Sequence, residues 1–569
     1  MANSQVWADV MGEVSGLPAI AVFSGPTATV QNTPPLLTRG HGLVGDASDT
    51  LRPQRLAAPA VVYLEPFSAH PLEHDSAELY SSADCLVDND GIEYPVDDPP
   101  NDGRQLRPAH RVELRPSDGL FLFPYVATTA DGQDWSGSGL SDDAPEGRQR
   151  QTFYPDAARL YEEIDRFGVD GSGRGRLLSR RARFVFFRAL PSGGYRHGLP
   201  KHLRTDAESA SGVVGDLSPE TRGIDYFPYF PPHLRFEPEP VRLAQATNLL
   251  QEVLGSGEYN GGQWLEGSPA AEETIYWFSL LLDISVPLVA HVAQRPHGTL
   301  SADGDRNIVD GVDYITGGAW RGEDGTDAVG AVLVADQVVY AAREVAKTDA
   351  RPGNYVAAGG FGGIVGRVDS SGASVVTYRP NYRFTSRSDL NVSRLPANVR
   401  GRAYAFDGAP RREVRILDDA GALRPESMPV ITSFKYGRYV ESCCGPHQVL
   451  SFVNHCDLTH PLAGIVGEGA NPFGHFDPAT DQALKQAAYS GFPVVKCGRG
   501  GTRGFTPRQE SWAISGNNLT APKARILLMA AMLKLGALPD AVDPRSPSRD
   551  EQAATATAVQ RYQEVFDRH

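Results

Sequence analysis

Apolar residues in this chain fall into short runs that end in polar turns bearing glycine or proline, with longer amphipathic stretches between them. Ala19 to Phe23 (AIAVF) is a buried-strand run that breaks into Ser24-Gly25-Pro26-Thr27. Val61 to Leu64 repeats the pattern. Val241 to Leu254 reads as a helix, with Leu243, Ala246, Leu249, Leu250 and Val253 on one side. The clearest unit spans residues 264 to 315. A short apolar approach, Trp264-Leu265, ends in Glu266-Gly267-Ser268-Pro269. Ala271, Ile275, Phe278 and Leu282 then recur at spacings of four, three and four, the apolar face of a helix. Glu272 and Glu273 fall in its first turn, where carboxylates suit the positive end of the helix dipole. Val286 to Val292 is a short strand, and Pro296 and Gly298 end it. Strand, polar turn, helix, strand is how open parallel sheets present chemistry at the C-terminal ends of their strands.

Further along, Val329 to Val334 and Val338 to Tyr340 predict a hairpin. A second alternation follows: Leu462 to Val466 as strand, Thr480 to Ala488 as helix, Phe492 to Val495 as strand, and Ile526 to Leu535 as helix. Ser546 to His569 predicts a polar helix. Between these ordered patterns, residues 81–225 read mainly as loops, dense in Asp, Pro, Gly and Ser. Val112 to Leu114, Gly119 to Phe123 and Phe184 to Phe187 are the short strands expected there. Residues 389–428 are polar and rich in Arg, Asp, Gly and Pro, and read as a connection with little regular structure. The expected division is an N-terminal α/β domain over residues 1–388 with an insertion-rich 81–225, a linker over 389–427, and a C-terminal α/β domain over 428–569.

Composition narrows the class without naming an activity. A chain of 569 residues buries a sizeable core in each of several domains. With 41% hydrophobic and 22% charged residues it resembles an ordinary globular protein. No apolar run approaches the ~20 residues of a membrane span, so no membrane partner is expected. The formal net charge of −15 repels phosphate backbones and argues against nucleic acid. The first residues lack the basic start and apolar stretch of a signal peptide, and five cysteines without a CxxC pair suit free thiols. A cytoplasmic protein is expected. His70-Pro71-Leu72-Glu73-His74 fits an H-x-x-E-H zinc pattern, but Pro71 suits only a first helical turn and spoils the shared histidine face. That stretch reads as a polar loop, and neither a metal nor a cofactor is expected.

Several stretches resemble the bacterial-type asparaginase/glutaminase family. Ser24-Gly25-Pro26-Thr27 is similar to its opening T-G-G-T, with Pro26 in place of the second glycine. Glu272-Glu273-Thr274-Ile275-Tyr276-Trp277 resembles E-E-T-A-Y-F, and Leu300-Ser301-Ala302-Asp303-Gly304 resembles L-S-A-D-G. Ala342-Arg343-Glu344-Val345-Ala346-Lys347-Thr348 resembles A-R-D-V-T-K-T. Leu519 to Leu528 resembles a second-domain helix start, L-N-P-Q-K-A-R-I-L-L. The stretches occur in the family's order over about 17–31, 252–367 and 428–565. The family's H-G-T-D-T loop is replaced by Glu266-Gly267-Ser268-Pro269-Ala270.

The resemblance implies the family's two-domain α/β fold, with a larger N-terminal parallel domain carrying insertions, and no cofactor. It puts Thr27 on the nucleophile's position, Ser268 on a second hydroxyl's and Lys347 on the catalytic lysine's. It further implies substrate contacts at Gly25, Gly267, Pro269, Ala293, Gln294 and Asn471, the last from a partner subunit, so a homodimer or homotetramer is expected. Hydrolysis of an unactivated amide needs a nucleophile, a proton acceptor and donors for the oxyanion, and a neutral amine serves a hydroxyl nucleophile as base. Proline at 269 stands where the family has an aspartate that holds the substrate's α-ammonium. An ammonium left unpaired in a closed site is costly. The expected activity is therefore hydrolysis of a small carboxamide, imide or ureido compound. True L-asparaginase/glutaminase activity and a catalytically silent ligand-binding protein on the same fold are the other readings.

Overall fold

The computed structural model describes residues 16–24, 60–64, 84–88, 92–104, 106–114, 161, 164–165, 176–188, 195–197, 240–267, 270–294, 303–348, 355–359, 361–380, 387–402, 413–437, 443–457, 460–499, 506–507 and 510–569. It divides into two compact units that are discontinuous along the chain. The first holds residues 1–238, 263–267 and 291–312, and the second holds 239–262, 268–290 and 313–569.

The first unit opens with β1 (Ala19–Ser24), the apolar run expected as a strand, and Ile20 to Phe23 are fully buried. A four-stranded antiparallel sheet follows, from β2 (Ala60–Leu64), β3 (Cys85–Val87), β4 (Glu93–Tyr94) and β5 (Arg107–Leu114), in the order β2-β5-β3-β4. β6 (Arg183–Arg188) runs parallel to β1 in the register Ala19↔Arg183 to Ser24↔Arg188, and β7 (Tyr195–His197) pairs antiparallel with β6. The strand expected at Phe184–Phe187 within a loop-rich segment is thus a core strand paired with β1. Its Phe187 stacks on Phe23 with ring centroids 5.1 Å apart, a contact between residues far apart in the chain.

The central run follows: α1 (Pro240–Gly255), β8 (Gly261–Leu265), α2 (Ala271–Leu281), β9 (Leu288–His291) and α3 (Gly304–Gly317). The unit boundary passes through β8, β9 and α3. In the first unit the Gln263–Leu265 end of β8 neighbours β1. In the second unit the sheet continues as β9, β10 (Val332–Ala335), β11 (Val338–Ala341), β14 (Ile364–Val368) and β15 (Ser374–Val376). β12 (Val345–Lys347) and β13 (Tyr355–Ala357) form a separate antiparallel pair. Asp336 and Gln337 close the β10–β11 hairpin with φ of 50° and 65°, the left-handed pair that a two-residue turn requires.

Glycines set how closely α1 and α3 approach the sheet. A Cβ on Gly261 would lie 2.7 Å from Ile315 Cγ2, and one on Gly262 would lie 3.0 Å from Leu254 Cδ1. α2 departs from the single apolar face of the sequence reading. Ala271, Thr274 to Leu281 are all buried, and Glu272 and Glu273 are its half-exposed members. Its polar ring atoms are satisfied from two elements. Trp277 Nε1 donates to Thr247 Oγ1 of α1 at 2.8 Å, and Tyr276 Oη donates to the main-chain oxygen of His569 at 2.8 Å.

The 389–427 stretch carries more structure than its composition suggests. β16 (Asn398–Arg400) and β17 (Glu413–Arg415) pair antiparallel, with Val399 and Val414 buried. Then β18 (Val430–Lys435), β19 (Ala463–Gly469), β20 (Val494–Gly498) and β21 (Ile514–Ser515) form an all-parallel sheet in chain order. Helices α4 (Cys444–Asp457), α5 (Pro478–Tyr489) and α6 (Ala521–Leu535) alternate with these strands, as parallel connections demand. Asp477 and Thr520 cap α5 and α6 with side-chain oxygens, and each helix has proline in its first turn. The polar tail folds as α7 (Arg549–Arg568), started by a capping box between Ser548 and Glu551.

Candidate functional site

Two polar assemblies stand out, one in each unit. In the first unit, the C-terminal ends of β8 and β9 meet the start of α3. The Glu266 amide donates to His291 O at 3.2 Å, which carries the pairing one residue past β8. Glu266 is itself fully buried and accepts from Trp264 Nε1 at 2.8 Å, so the side chain that replaces the family's histidine is turned into the core. Just beyond β9, the Gln294 amide donates to both oxygens of Asp303, at 3.0 and 3.2 Å. Asn307 Nδ2 donates to Val292 O at 2.8 Å. A Cβ on Gly304 would come within 2.9 Å of Ala293 Cβ, which explains the glycine of the L-S-A-D-G stretch. Gly267, Ala293 and Gln294 are thus held on adjacent strand ends.

Behind these ends lies a buried chain that the sequence reading missed. Tyr161 Oη donates to Gln263 Oε1 at 2.5 Å, and Gln263 Nε2 lies 2.8 Å from His291 Nε2 and 3.1 Å from Ile308 O. The Ile308 carbonyl fixes the amide nitrogen as a donor, so His291 Nε2 accepts. Gly311 makes room for that ring: a Cβ there would lie 2.0 Å from His291 Cε1. The available signal was a glutamine and a histidine in otherwise apolar strands (GGQWL and LVAH).

In the second unit the expected lysine is found at a strand end. Lys347 closes β12, is half-buried, and its backbone amide donates to Glu272 Oε2 in the first turn of α2. Ser268 stands four residues before Glu272 in the chain. Lys523, in the first turn of α6 and 2% exposed, donates from Nζ to Glu272 O and, at 2.6 Å, to Ala342 O. Its ammonium lies 5.2 Å from the Tyr276 ring centroid. Burial pulls the Lys523 amine down to about 8, against the opposing pull of Glu272, Glu344 and Glu273. Burial pushes the Glu272 carboxyl up, and the Lys523 charge is the strongest influence holding it down. Beside it, Arg525 pairs with Glu273, and Arg343 donates to Glu344 Oε1 at 2.9 Å, to Asn518 Oδ1 at 2.8 Å and to His569 O at 2.6 Å. The sequence reading used Glu272 for the helix dipole and as part of a matching stretch, and Lys523 only as part of a matching stretch. Nothing local shows that residues 251 apart meet.

A cavity of about 520 Å³ in this unit borders Arg343, Glu344 and Asn518, and none of the expected site residues is among those that line it. Asn471 is exposed in the turn after β19, where Ala470 and His475 exchange backbone bonds of 2.8 and 3.0 Å. Gly469 is required there, because a Cβ would lie 2.2 Å from the Gly474 backbone. Thr27, Ser268, Pro269 and Gly25 lie outside the described residues, as do His70 and His74. Among the described residues no cluster of His, Cys, Asp and Glu is placed to hold a metal, and no helix is long and apolar enough to cross a membrane.

No family model matches the chain. It is similar to L-asparaginase 2 of Bacillus subtilis (strain 168), at 23% identity over 361 residues, covering 61% of this chain and 82% of that one. By that match the chain is a distant, divergent relative of an L-asparaginase. Among solved structures it is similar to a probable cytoplasmic L-asparaginase from Campylobacter jejuni, at 18% identity and a TM-score of 0.43, over 59% of this chain and 82% of that one. That superposition is too loose to add weight. The stretches that resemble the family at Lys347 and Asp303-Gly304 lie at ordered strand ends, and the stretch from Glu266 to Ala270 departs from the family's sequence.

Proposed function

We propose that the chain is an amidohydrolase that cleaves the C–N bond of a small carboxamide, imide or ureido compound lacking an α-ammonium group. The observation that carries this reading is the seating of Lys347: its strand end is tied by its own amide to the helix that begins at Ala271, three residues after Ser268 in the sequence. That tie supports a lysine and a hydroxyl-bearing loop acting as one unit, alongside the relatives' naming as asparaginases. In this reading Thr27 Oγ bonds to the substrate carbonyl carbon and its proton passes through Ser268 to the Lys347 amine. Turn amides hold the oxyanion, the C–N bond breaks as the departing nitrogen takes up that proton (leaving as ammonia from a carboxamide, or staying as a tethered amide from a cyclic imide), and water then releases the acyl group from Thr27. Pro269 supports the restriction on substrate, since proline offers no carboxylate to an ammonium. We further propose a homodimer or homotetramer working in the cytoplasm, with Asn471 facing a partner's site.

The test is turnover by wild-type protein of asparagine, glutamine, succinamic acid and a ureido acid, read as ammonia release, and of a cyclic imide, read as ring opening to the half-amide by chromatography. Turnover of at least one of the last three, abolished by Thr27→Ala and by Lys347→Met, supports the reading. Turnover surviving Thr27→Ala overturns the nucleophile, and no turnover on any of the five overturns the activity.

A further inference from the structure

We propose that Glu272 is the positioning residue for the Lys347 strand end, that Lys523 keeps Glu272 ionised, and that this pair sets the acid limb of turnover. The inference rests on the amidohydrolase reading for its kinetic consequence and on geometry alone for the positioning. β12 has β13 on one side, and Glu272 takes the Lys347 amide. Lys523 grips the same turn from a third element, bonding Glu272 O and Ala342 O together. Ala342 is five residues before Lys347, so one buried ammonium ties the start of α2 to the chain that enters β12.

The charges around the pair are few. Glu272 faces Lys523 from α6, Lys347 from β12 and Glu273 on its own helix. Lys523 faces Glu272 and Glu273 from α2, Glu344 and Arg343 from the turn before β12, and the Tyr276 ring. Glu272 is thus a half-buried carboxylate whose ionisation depends on one neighbour more than on any other. Charge-assisted bonds to an amide are roughly twice as strong as neutral ones, so protonating Glu272 loosens its hold on Lys347.

Two readouts test this together. The first is hydrogen exchange, by mass spectrometry, of peptides covering 343–348 in wild type, Glu272→Gln and Lys523→Met at one pH. The second is kcat against pH for the same three proteins on the best amide of the panel, with folding followed by circular dichroism. Glu272→Gln keeps an acceptor of the same shape and guards against a variant that merely fails to fold. We expect faster exchange at 343–348 in both variants. We also expect the acid limb of kcat to rise by about one pH unit or more in Lys523→Met, as befits removal of a close opposite charge. In Glu272→Gln the limb should flatten, and adding Lys523→Met should move it no further. A purely structural lysine would lower the melting temperature and leave the limb where it was, which overturns the proposal while the amidohydrolase reading stands. Should wild type hydrolyse no amide, that reading falls and unchanged exchange at 343–348 overturns the positioning claim by itself.

Discussion

The strand-end assembly of the first unit and the lysine clamp of the second solve the same problem by different physics. Around Ala293 and Gln294, loop backbone is fixed by Asp303 and Asn307, nine and fifteen residues away. The donors are an amide and a carboxamide, and each bond satisfies a backbone group that would otherwise be stranded at a strand end. Around Lys347, the partners are 75 and 251 residues apart, and a buried ammonium sits among carboxylates. The first arrangement is local, each bond closing within one stretch of chain. The second couples position to charge, so it is stronger and more easily upset.

The largest expected effect comes from breaking the clamp. Removing Lys523 as Lys523→Met leaves Glu272 half-buried without its main opposite charge, and we expect a loss of about 3 kcal/mol in urea unfolding. Adding Glu272→Leu should recover most of that loss, because an apolar pair replaces the ionic one. If the double variant is no better than the single, the two residues do not act as a pair.

The pH dependence of stability separates the assemblies next. Lys523 titrates near 8 when folded and near 10.5 when unfolded, so the unfolded chain holds more protons between those values. A depressed pKa gives stability that is present at high pH and lost as pH falls through the folded value. Wild type should therefore gain on Lys523→Met as pH rises from 8 to about 10.5, by up to about 3 kcal/mol. Parallel curves for the two proteins over that window would place the lysine outside the core.

Smaller losses are expected at the strand ends. Asn307→Ala strands the Val292 carbonyl and should cost about 1–3 kcal/mol, whereas Asp303→Asn keeps an acceptor for the Gln294 amide and should cost under about 1 kcal/mol. Asn307→Ala, which removes no titratable group, should not change the shape of the stability–pH curve. A pH-dependent effect of Asn307→Ala would erase the contrast between the two regions.

What could be seen in advance follows the same division. In the C-terminal sheet β19, β20, α5 and α6 were legible because the strands are short apolar runs and the helices carry cap and period, whereas β18, α4 and β21 were not foreseen. The hairpin at Asp336-Gln337 and the polar helix at the C-terminal end were legible for the same local reasons. β6 was legible as a short strand, but its place beside β1 was not, since that depends on a contact across more than 160 residues. At the site, Lys347 and the Asp303-Gly304 anchor were legible through matching stretches. Glu272 and Lys523 were seen but given no role at the site, because their meaning lies in a meeting that no periodicity encodes. His291 and Gln263 were hidden in the apolar strands that carry them.

The most direct measurement is the ratio of kcat/KM for ammonia release from succinamic acid and from L-asparagine, which differ only in the α-ammonium. One charge-assisted contact is worth about 1.5–3 kcal/mol, so its absence at Pro269 should favour succinamic acid by roughly ten- to a hundred-fold. Asparagine as the better substrate would contradict the central claim, for the ammonium would then have a partner that proline cannot supply.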